Sequence, residues 1–371
     1  MKRAVIITNI PAPYRVDFFY YLQTQVPEMK FYIIYSSTTE DNRRWEVNQE
    51  KIKNSFFLES FTIKVKKRYD TKYIHIPRGV RQALDRIRPD VVIGSEYNPT
   101  IIQAVCYCKR RGIPYVSWTD GTLFSERNIN RFQKVLRKYV ICSAAAYIAS
   151  STKSKEAQQF YGADSDKIRI SYLTVDVDRY RQERCRTQER RLLCVGSLIE
   201  RKGMDLLLRA CARIQEQTSW HLVLAGQGPE EAGLRRLAKS LGIEEKVEFL
   251  GYLNQKELLQ EYERSFCLVL PTREDCFALV ILEAMCSGLP VICSRYADGA
   301  YDLIEEGING YIVDPLDGAS FTQKIEALLK DPDEAWLMGE RAREMAEKFR
   351  FSSVSQGFLE AVGLALLKKE G

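Results

Sequence analysis

Short apolar runs punctuate the chain at residues 3 to 8, 31 to 36, 91 to 94, 114 to 118 and 146 to 150, with stretches of helical period between them. The same alternation resumes at 192 to 196, 221 to 225, 246 to 250, 266 to 270, 290 to 293 and 310 to 313. Short strands separated by helices are the grammar of a parallel sheet, so the pattern predicts an α/β protein with two such sheets. Between the two series lies GADSDKIRISYLTVDVDRYRQERCRTQERR, polar and rich in charge, which puts the division near residues 172 to 190. We expect one domain over residues 1–175 and a second over 176–351, followed by a last helix at 352 to 367. No internal repeat or low-complexity tract interrupts the scheme.

Most of the candidate chemistry falls in the second series. The apolar SFCLVLP runs into EDCFALVILE, residues 274 to 283, where the acidic pair Glu274 and Asp275 opens an amphipathic segment from about Ala278 to Ser287. Gly288 and Pro290 stop it. A helix N-terminus at the carboxyl end of a strand is where ligands sit in an open α/β sheet, and its amides favour an anion such as a diphosphate. Counted as helical rise, the interval from Asp275 to Glu283 is roughly 12 Å, comparable to a ribose and a hexose on either side of a pyrophosphate. The residues alone leave a second reading open, in which Asp275 caps the helix and Glu283 is an ordinary polar member of it.

LLCVGSLIERKGMDLLLRA reads as strand, turn and helix, with Lys202 and Gly203 at the turn, where a cation reaches a diphosphate. Arg201 either adds a second charge or is a solvated turn residue. In WHLVLAGQGPEEAGLRRLA, Gly226 and Gly228 end a strand, either to let backbone approach a ligand or to make the turn. This is not G-x-G-x-x-G, and the first strand's turn, NIPAPYR, holds no glycine, which argues against a dinucleotide dehydrogenase.

With 371 residues and 45% hydrophobic content, two full cores are within reach. Ten cysteines without a C-x2-C pair read as reduced, buried thiols of a cytosolic protein. MKRAVIITNIPAPYR suits a first strand better than a secretory segment, and no run approaches the roughly 18 apolar residues of a membrane span. The net charge of +6 is mild and gives no cause to expect nucleic acid. Basic clusters occur at Lys66, Lys67 and Arg68, at Lys109, Arg110 and Arg111, and at Arg131, Lys134, Arg137 and Lys138. The last set shares one helical stripe beside Phe132, Val135 and Leu136, either a solvated face or a contact for an anionic membrane surface. The two histidines, His75 and His221, are expected to be structural.

PTREDCFALVILEAMCSGLPVICS resembles the acid-x7-Glu element and the EAM-x-x-GLPV turn of the GT-B glycosyltransferases of family 4, with Asp275 where the family has Glu and Ala278 where it has Gly. LLCVGSLIERKG is similar to that family's GRL-x3-KG element, with Ser197 at the Arg position, Lys202 kept and Arg201 beside it. TVDVDRY resembles its GVDVDRF-like linker segment, so Asp176 and Asp178 are read as linker and not as an Asp-x-Asp manganese site. NIPAPYRVDFF looks like the start of some bacterial members.

The resemblance implies a GT-B fold, two Rossmann-like domains with the donor in a cleft, and a last helix over 352–371 that returns to the N-terminal domain. It implies retaining transfer from a UDP- or GDP-sugar to a carbohydrate or lipid-linked acceptor hydroxyl, in polysaccharide or glycolipid synthesis. No metal or other cofactor is implied, and the protein is expected in the cytoplasm, at the inner face of the membrane where it meets lipid. Asp275 then orients the donor sugar, Glu283 accepts from the ribose hydroxyls, and Lys202 with Arg201 neutralises the leaving diphosphate. Ser197, Gly226 and the loop Gly251, Tyr252 and Leu253 line the nucleotide, as do Cys276, Phe277, Ala278 and Leu279. Where many members carry a histidine after the strand at 114 to 118, SWTDGT supplies Asp120, with Gly121 and Thr122, to bond a sugar hydroxyl or make a turn. Glu96 and Tyr97 are expected acceptor contacts. Two rivals stand beside this reading: a sugar-nucleotide 2-epimerase of the same fold, against which the scarcity of histidine counts, and a non-catalytic GT-B partner protein.

Overall fold

The computed structural model describes residues 1–40, 47–66, 69, 71–181, 189–215 and 219–370, so Lys67, Arg68 and Cys185 lie outside the described residues. The chain divides into two units, Met1–Asp176 with Arg350–Gly371, and Val177–Phe349. The strands of the first are β1 (Lys2–Thr8), β2 (Met29–Tyr35), β3 (Ser55–Phe57), β4 (Glu59–Lys66), β5 (Thr71–Arg78), β6 (Val91–Ser95), β7 (Tyr115–Thr119), β8 (Ala146–Ala149) and β9 (Ile168–Ile170). Seven form a parallel sheet in the order β3-β2-β1-β6-β7-β8-β9, while β4 and β5 make a separate antiparallel hairpin. The second unit is a parallel sheet of β10 (Arg191–Val195), β11 (His221–Ala225), β12 (Val247–Gly251), β13 (Cys267–Leu270), β14 (Val291–Ser294) and β15 (Gly310–Val313), ordered β12-β11-β10-β13-β14-β15.

The central strands are buried on both faces, which is why they read as unbroken apolar runs and not as alternations. All eleven expected strands form, within two residues at either end. The scheme lacked β3, β4, β5 and β9. β3 and β9 are too short to show a period. The hairpin alternates apolar and polar residues, as in FTIKVK, and leaves Phe61 and Ile63 exposed, so a scheme built on unbroken apolar runs passed over it. Helices begin where side chains satisfy the first free amides: Asn98 before Pro99–Arg111, Asn130 before Arg131–Cys142, Ser151 before Thr152–Phe160 and Asn254 before Gln255–Arg264.

On one side of the first sheet, Val16, Phe18 and Phe19 pack with Val354, Phe358 and Ala361 of the last helix, Phe351–Glu370, against Ile6, Ile33 and Trp118. The opposite side is covered by the helices Val80–Ile87 and Pro99–Arg111. The last helix thus belongs to the first unit although it follows the second in sequence. Ser171 Oγ donates to the Val354 carbonyl at 2.8 Å, and a side chain at Gly357 would strike the Ile170 carbonyl, so the helix lies hard against β9.

Two sequence expectations change. Six of the nine described cysteines are buried, but Cys106 and Cys276 are half-buried and Cys142 is exposed. Arg137 does not join the basic stripe: it is buried and paired with Glu126 at 2.7 Å, because its helix turns it toward Tyr97 in the protein interior. The solvated face keeps Arg131, Lys134 and Lys138.

Candidate active site

In each sheet the strand order reverses once beside its first strand, between β1 and β6 and between β10 and β13. Diverging connections leave a crevice at the carboxyl ends there, the favoured place for a ligand.

In the second unit this crevice is built by two loops stitched together. After β10 the chain makes a short turn, Glu200–Lys202, and passes through Gly203 with φ 71° into the helix Met204–Cys211. A side chain at Gly203 would overlap the Pro271 carbonyl, so only glycine lets this turn rest on the loop after β13. Arg273 forks onto Asp205 at 2.7 and 2.8 Å, its amide donates to the Arg201 carbonyl at 2.7 Å, and Arg201 Nη1 donates to the Glu274 carbonyl at 2.9 Å. The consequence is that Lys202 Nζ sits 2.6 Å from Asp275 Oδ2, with Arg201 Nη1 at 3.6 Å. The other oxygen of Asp275 accepts from the amides of Phe277 and Ala278 at 3.3 and 3.0 Å. Burial opposes the Asp275 charge, but Lys202, Arg201 and these amides outweigh it and hold the carboxyl below its usual range.

Asp275 does not open a helix directly. Ala278 takes left-handed geometry, φ 61° and ψ 69°, and the helix is Leu279–Cys286, so the interval from Asp275 to Glu283 is only partly helical rise. A left-handed alanine costs about 1 kcal/mol that glycine would not incur. Glu283, half-buried on that helix, accepts from the hydroxyl of Tyr262 at 2.8 Å and from that of Tyr180 at 3.3 Å. Burial raises its carboxyl by more than the two phenols lower it. The two carboxyls of the motif are therefore pushed in opposite directions by their surroundings.

The neighbouring strand ends meet through main chain. Gly226 has φ 151°, its amide donates to the Gly251 carbonyl at 2.7 Å, and a side chain there would overlap Gly196. Leu198 donates to the Gln227 carbonyl at 2.9 Å, leaving Ser197 exposed, while Tyr252 is exposed and Leu253 half-buried beyond β12. Phe277 is buried, with Cys276 and Leu279 half-buried around it. The second unit thus brings the loops after β10, β11, β12 and β13 to one edge of its sheet.

Asp120, Glu96 and Tyr97 lie in the first unit, where they cluster at the carboxyl ends of β6 and β7. Asp120 accepts from Arg15 at 2.7 Å and from the Ser150 hydroxyl at 2.5 Å, and its amide donates to Glu96 Oε1 at 3.1 Å. Arg15 is buried, its guanidinium stacked 3.8 Å from the centre of the Trp118 ring. Glu96 has φ 73°, a strained setting for a residue with a side chain and one that gathers at functional sites. Gly121 and Thr122 are buried beneath this cluster, and Tyr97 is half-buried beside Arg137.

Asp178 falls in the short helix Val177–Tyr180, and neither it nor Asp176 joins a cluster of metal-binding groups among the described residues. His75 bonds Thr62 across the hairpin at 2.8 Å and Glu40, outside it, at 3.2 Å, and His221 opens β11. Sequence reasoning missed Arg15, Tyr180 and Tyr262. Arg15 lay in plain view in NIPAPYR, but the tyrosines reach Glu283 from helices distant in sequence, and nothing local announces them.

Two parallel α/β units with ligand-type crevices are the GT-B architecture, and comparison with known proteins agrees. Residues 47–179 match Glycosyltransferase Family 4 and residues 176–345 match Glycosyl transferases group 1. The chain belongs to the family 4 GT-B glycosyltransferases. An uncharacterised glycosyltransferase of Haemophilus influenzae is 24% identical over 76% of this chain and 78% of its own length. A D-inositol 3-phosphate glycosyltransferase of Nocardia farcinica is 29% identical over 64% of this chain, but only 57% of its own length is spanned. Among solved structures, the lipopolysaccharide outer core galactosyltransferase WaaB superposes with TM-score 0.76 at 19% identity, covering 98% of this chain and 99% of that one. Anabaena HepE, in complex with UDP, superposes with TM-score 0.78 at 16% identity, covering 98% and 100%.

Proposed function

We propose that this chain moves a glycosyl group from a UDP-sugar to an acceptor hydroxyl with retention at the anomeric carbon and without a metal. The observation that carries it is the convergence of Lys202, Arg201 and Asp275 at the crevice between β10 and β13. A diphosphate entering there meets two cations and the first turn of the helix Leu279–Cys286, which stabilise the charge that develops as the glycosidic bond breaks. Retention without a protein nucleophile then has the leaving diphosphate accept the acceptor's proton on the same face. Glu283 holds the ribose, Asp275 orients the sugar, and Glu96 with Asp120 meets the acceptor. The UDP bound to HepE supports UDP over GDP. UDP release from UDP-glucose or UDP-galactose by the purified chain, with a panel of sugar acceptors, is expected to persist in excess EDTA. Loss of turnover in EDTA with recovery in manganese would overturn the metal-free reading, and binding without turnover would favour the non-catalytic partner.

We also infer reversible attachment to acidic membrane, which suits a lipid-linked acceptor in polysaccharide or glycolipid synthesis. No described helix is long and apolar enough to cross a bilayer. What supports attachment is a mixed basic and apolar surface. Phe132 and Val135 are 69% and 64% exposed beside Arg131, Lys134 and Lys138, and on the hairpin Phe61 is 70% exposed beside Ile63 and Ile76. Lys109, on the helix Pro99–Arg111, reaches over the ring of Tyr139 on the helix Arg131–Cys142 at 4.3 Å. Apolar side chains entering the headgroup layer with cations around them favour anionic lipid. Co-sedimentation with phosphatidylglycerol vesicles is expected and should fall as salt rises; equal pelleting with neutral vesicles, or none with either, contradicts it.

A further inference from the structure

The Glu283 carboxylate is held from behind by two phenols that its motif does not include. Tyr262, on the helix Gln255–Arg264, is fully buried and donates to Oε2 at 2.8 Å, while Tyr180, at the end of the helix Val177–Tyr180, donates to Oε1 at 3.3 Å. The two rings meet edge to face, 6.3 Å between centroids at 71°. Ser287 Oγ donates to the Tyr180 carbonyl at 2.9 Å and to the Glu283 carbonyl at 3.0 Å, which ties the short helix to the last turn of Leu279–Cys286. A carboxylate offers about four lone-pair positions. One bond to each oxygen therefore fixes its plane and leaves an acceptor position on each oxygen for something else.

Resting on the reading that Glu283 meets the donor's ribose, the geometry points to Tyr262 and Tyr180 as positioning residues that aim the carboxylate at a vicinal diol. Two parallel O–H to O⁻ bonds need both oxygens presented at once, and a carboxylate free to rotate would present them only part of the time. Burial drives the Glu283 carboxyl upward and the two phenols counter part of that rise, so removing one leaves the group easier to protonate. A protonated carboxyl no longer accepts from both hydroxyls. The charged groups on the surrounding elements include Asp178 and Arg179 beside Tyr180, Glu261, Glu263 and Arg264 flanking Tyr262 on its helix, Arg343 at the Ser287 carbonyl with Glu340 beside it, and Asp302 on the helix Ala300–Leu303. Besides burial, the phenols are what acts on the charge of Glu283.

Calorimetric titration with UDP and with 2′-deoxy-UDP, at several values between about pH 5.5 and 8, tests this on the whole chain. The parent is expected to prefer UDP by about tenfold. Tyr262→Phe should weaken UDP binding by about threefold to tenfold and narrow that preference. The parent-to-variant affinity ratio should widen as pH falls; the phosphate titration of UDP is common to both and cancels. Tyr180→Phe should act in the same direction, more weakly, and carries the test if Tyr262→Phe does not fold. Variants that bind UDP within about twofold of the parent, with a ratio flat in pH, would overturn the positioning role. Glu283→Gln separates the levels: if it alone loses the preference for UDP, only the tyrosine role fails, whereas a Glu283→Gln that keeps the preference removes the ribose contact itself.

Discussion

Replacing Lys202 with methionine is expected to lower turnover by about 10²- to 10³-fold, the usual cost of removing one preorganised group from a developing negative charge. Methionine keeps much of the aliphatic length that lies along Gly196, so the loss isolates the ammonium. The ammonium has a second duty in the unliganded protein, as the 2.6 Å partner of Asp275, with both side chains only 14% exposed. Because Asp275 has its carboxyl lowered in the folded state, the pair stabilises the protein above about pH 4 and that contribution is lost as pH falls through the lowered value. Lys202→Met should therefore unfold at lower denaturant than the parent at neutral pH and lose part of that difference in acid. Steady-state turnover with denaturant curves at both pH values checks this. A variant with full turnover would remove Lys202 from the chemistry and leave it a counterion.

Phe358→Ala is expected to destabilise the first unit by about 3–5 kcal/mol. Phe358 is fully buried and sits among Phe18, Phe31 and Trp118, with ring centroids 5.8, 6.3 and 5.5 Å away. Its loss leaves a cavity walled by aromatic rings that cannot easily collapse into it. Urea unfolding followed by tryptophan fluorescence reads the effect, since Trp118 edges onto the missing ring. A shift under about 1 kcal/mol would mean that the last helix contributes little to this core.

The two-sheet fold was legible because strands buried on both faces leave short unbroken apolar runs that recur between stretches of helical period. Lys202, Asp275 and Glu283 stood out because each lies in a compact local pattern: Lys202 next to Gly203 in the turn after LLCVGSL, and the two carboxylates within EDCFALVILE directly after an apolar strand. The rest required distances. Nothing local to Glu283 indicates that Tyr180 and Tyr262 turn inward upon it, and nothing in SWTDGT indicates that Asp120 is engaged by Arg15 from 105 positions earlier. Arg137 shows the opposite failure: its spacing placed it on a solvated stripe, while the burial of Glu126 drew it inward. Ala278 was visible as a departure from a glycine pattern, but only its left-handed φ gives that departure an energetic meaning.

The last helix also orders events at the ribosome. Val177–Phe349 is an unbroken stretch, so the second unit has everything it requires as soon as it emerges, whereas the first waits for Val354, Phe358 and Ala361 to arrive from the far side of it. Until then Phe18, Ile33 and Trp118 keep an uncovered apolar face, and the half made first is the half finished last. A nascent chain in that condition is the natural client of a holding chaperone, for as long as it takes to translate the second unit.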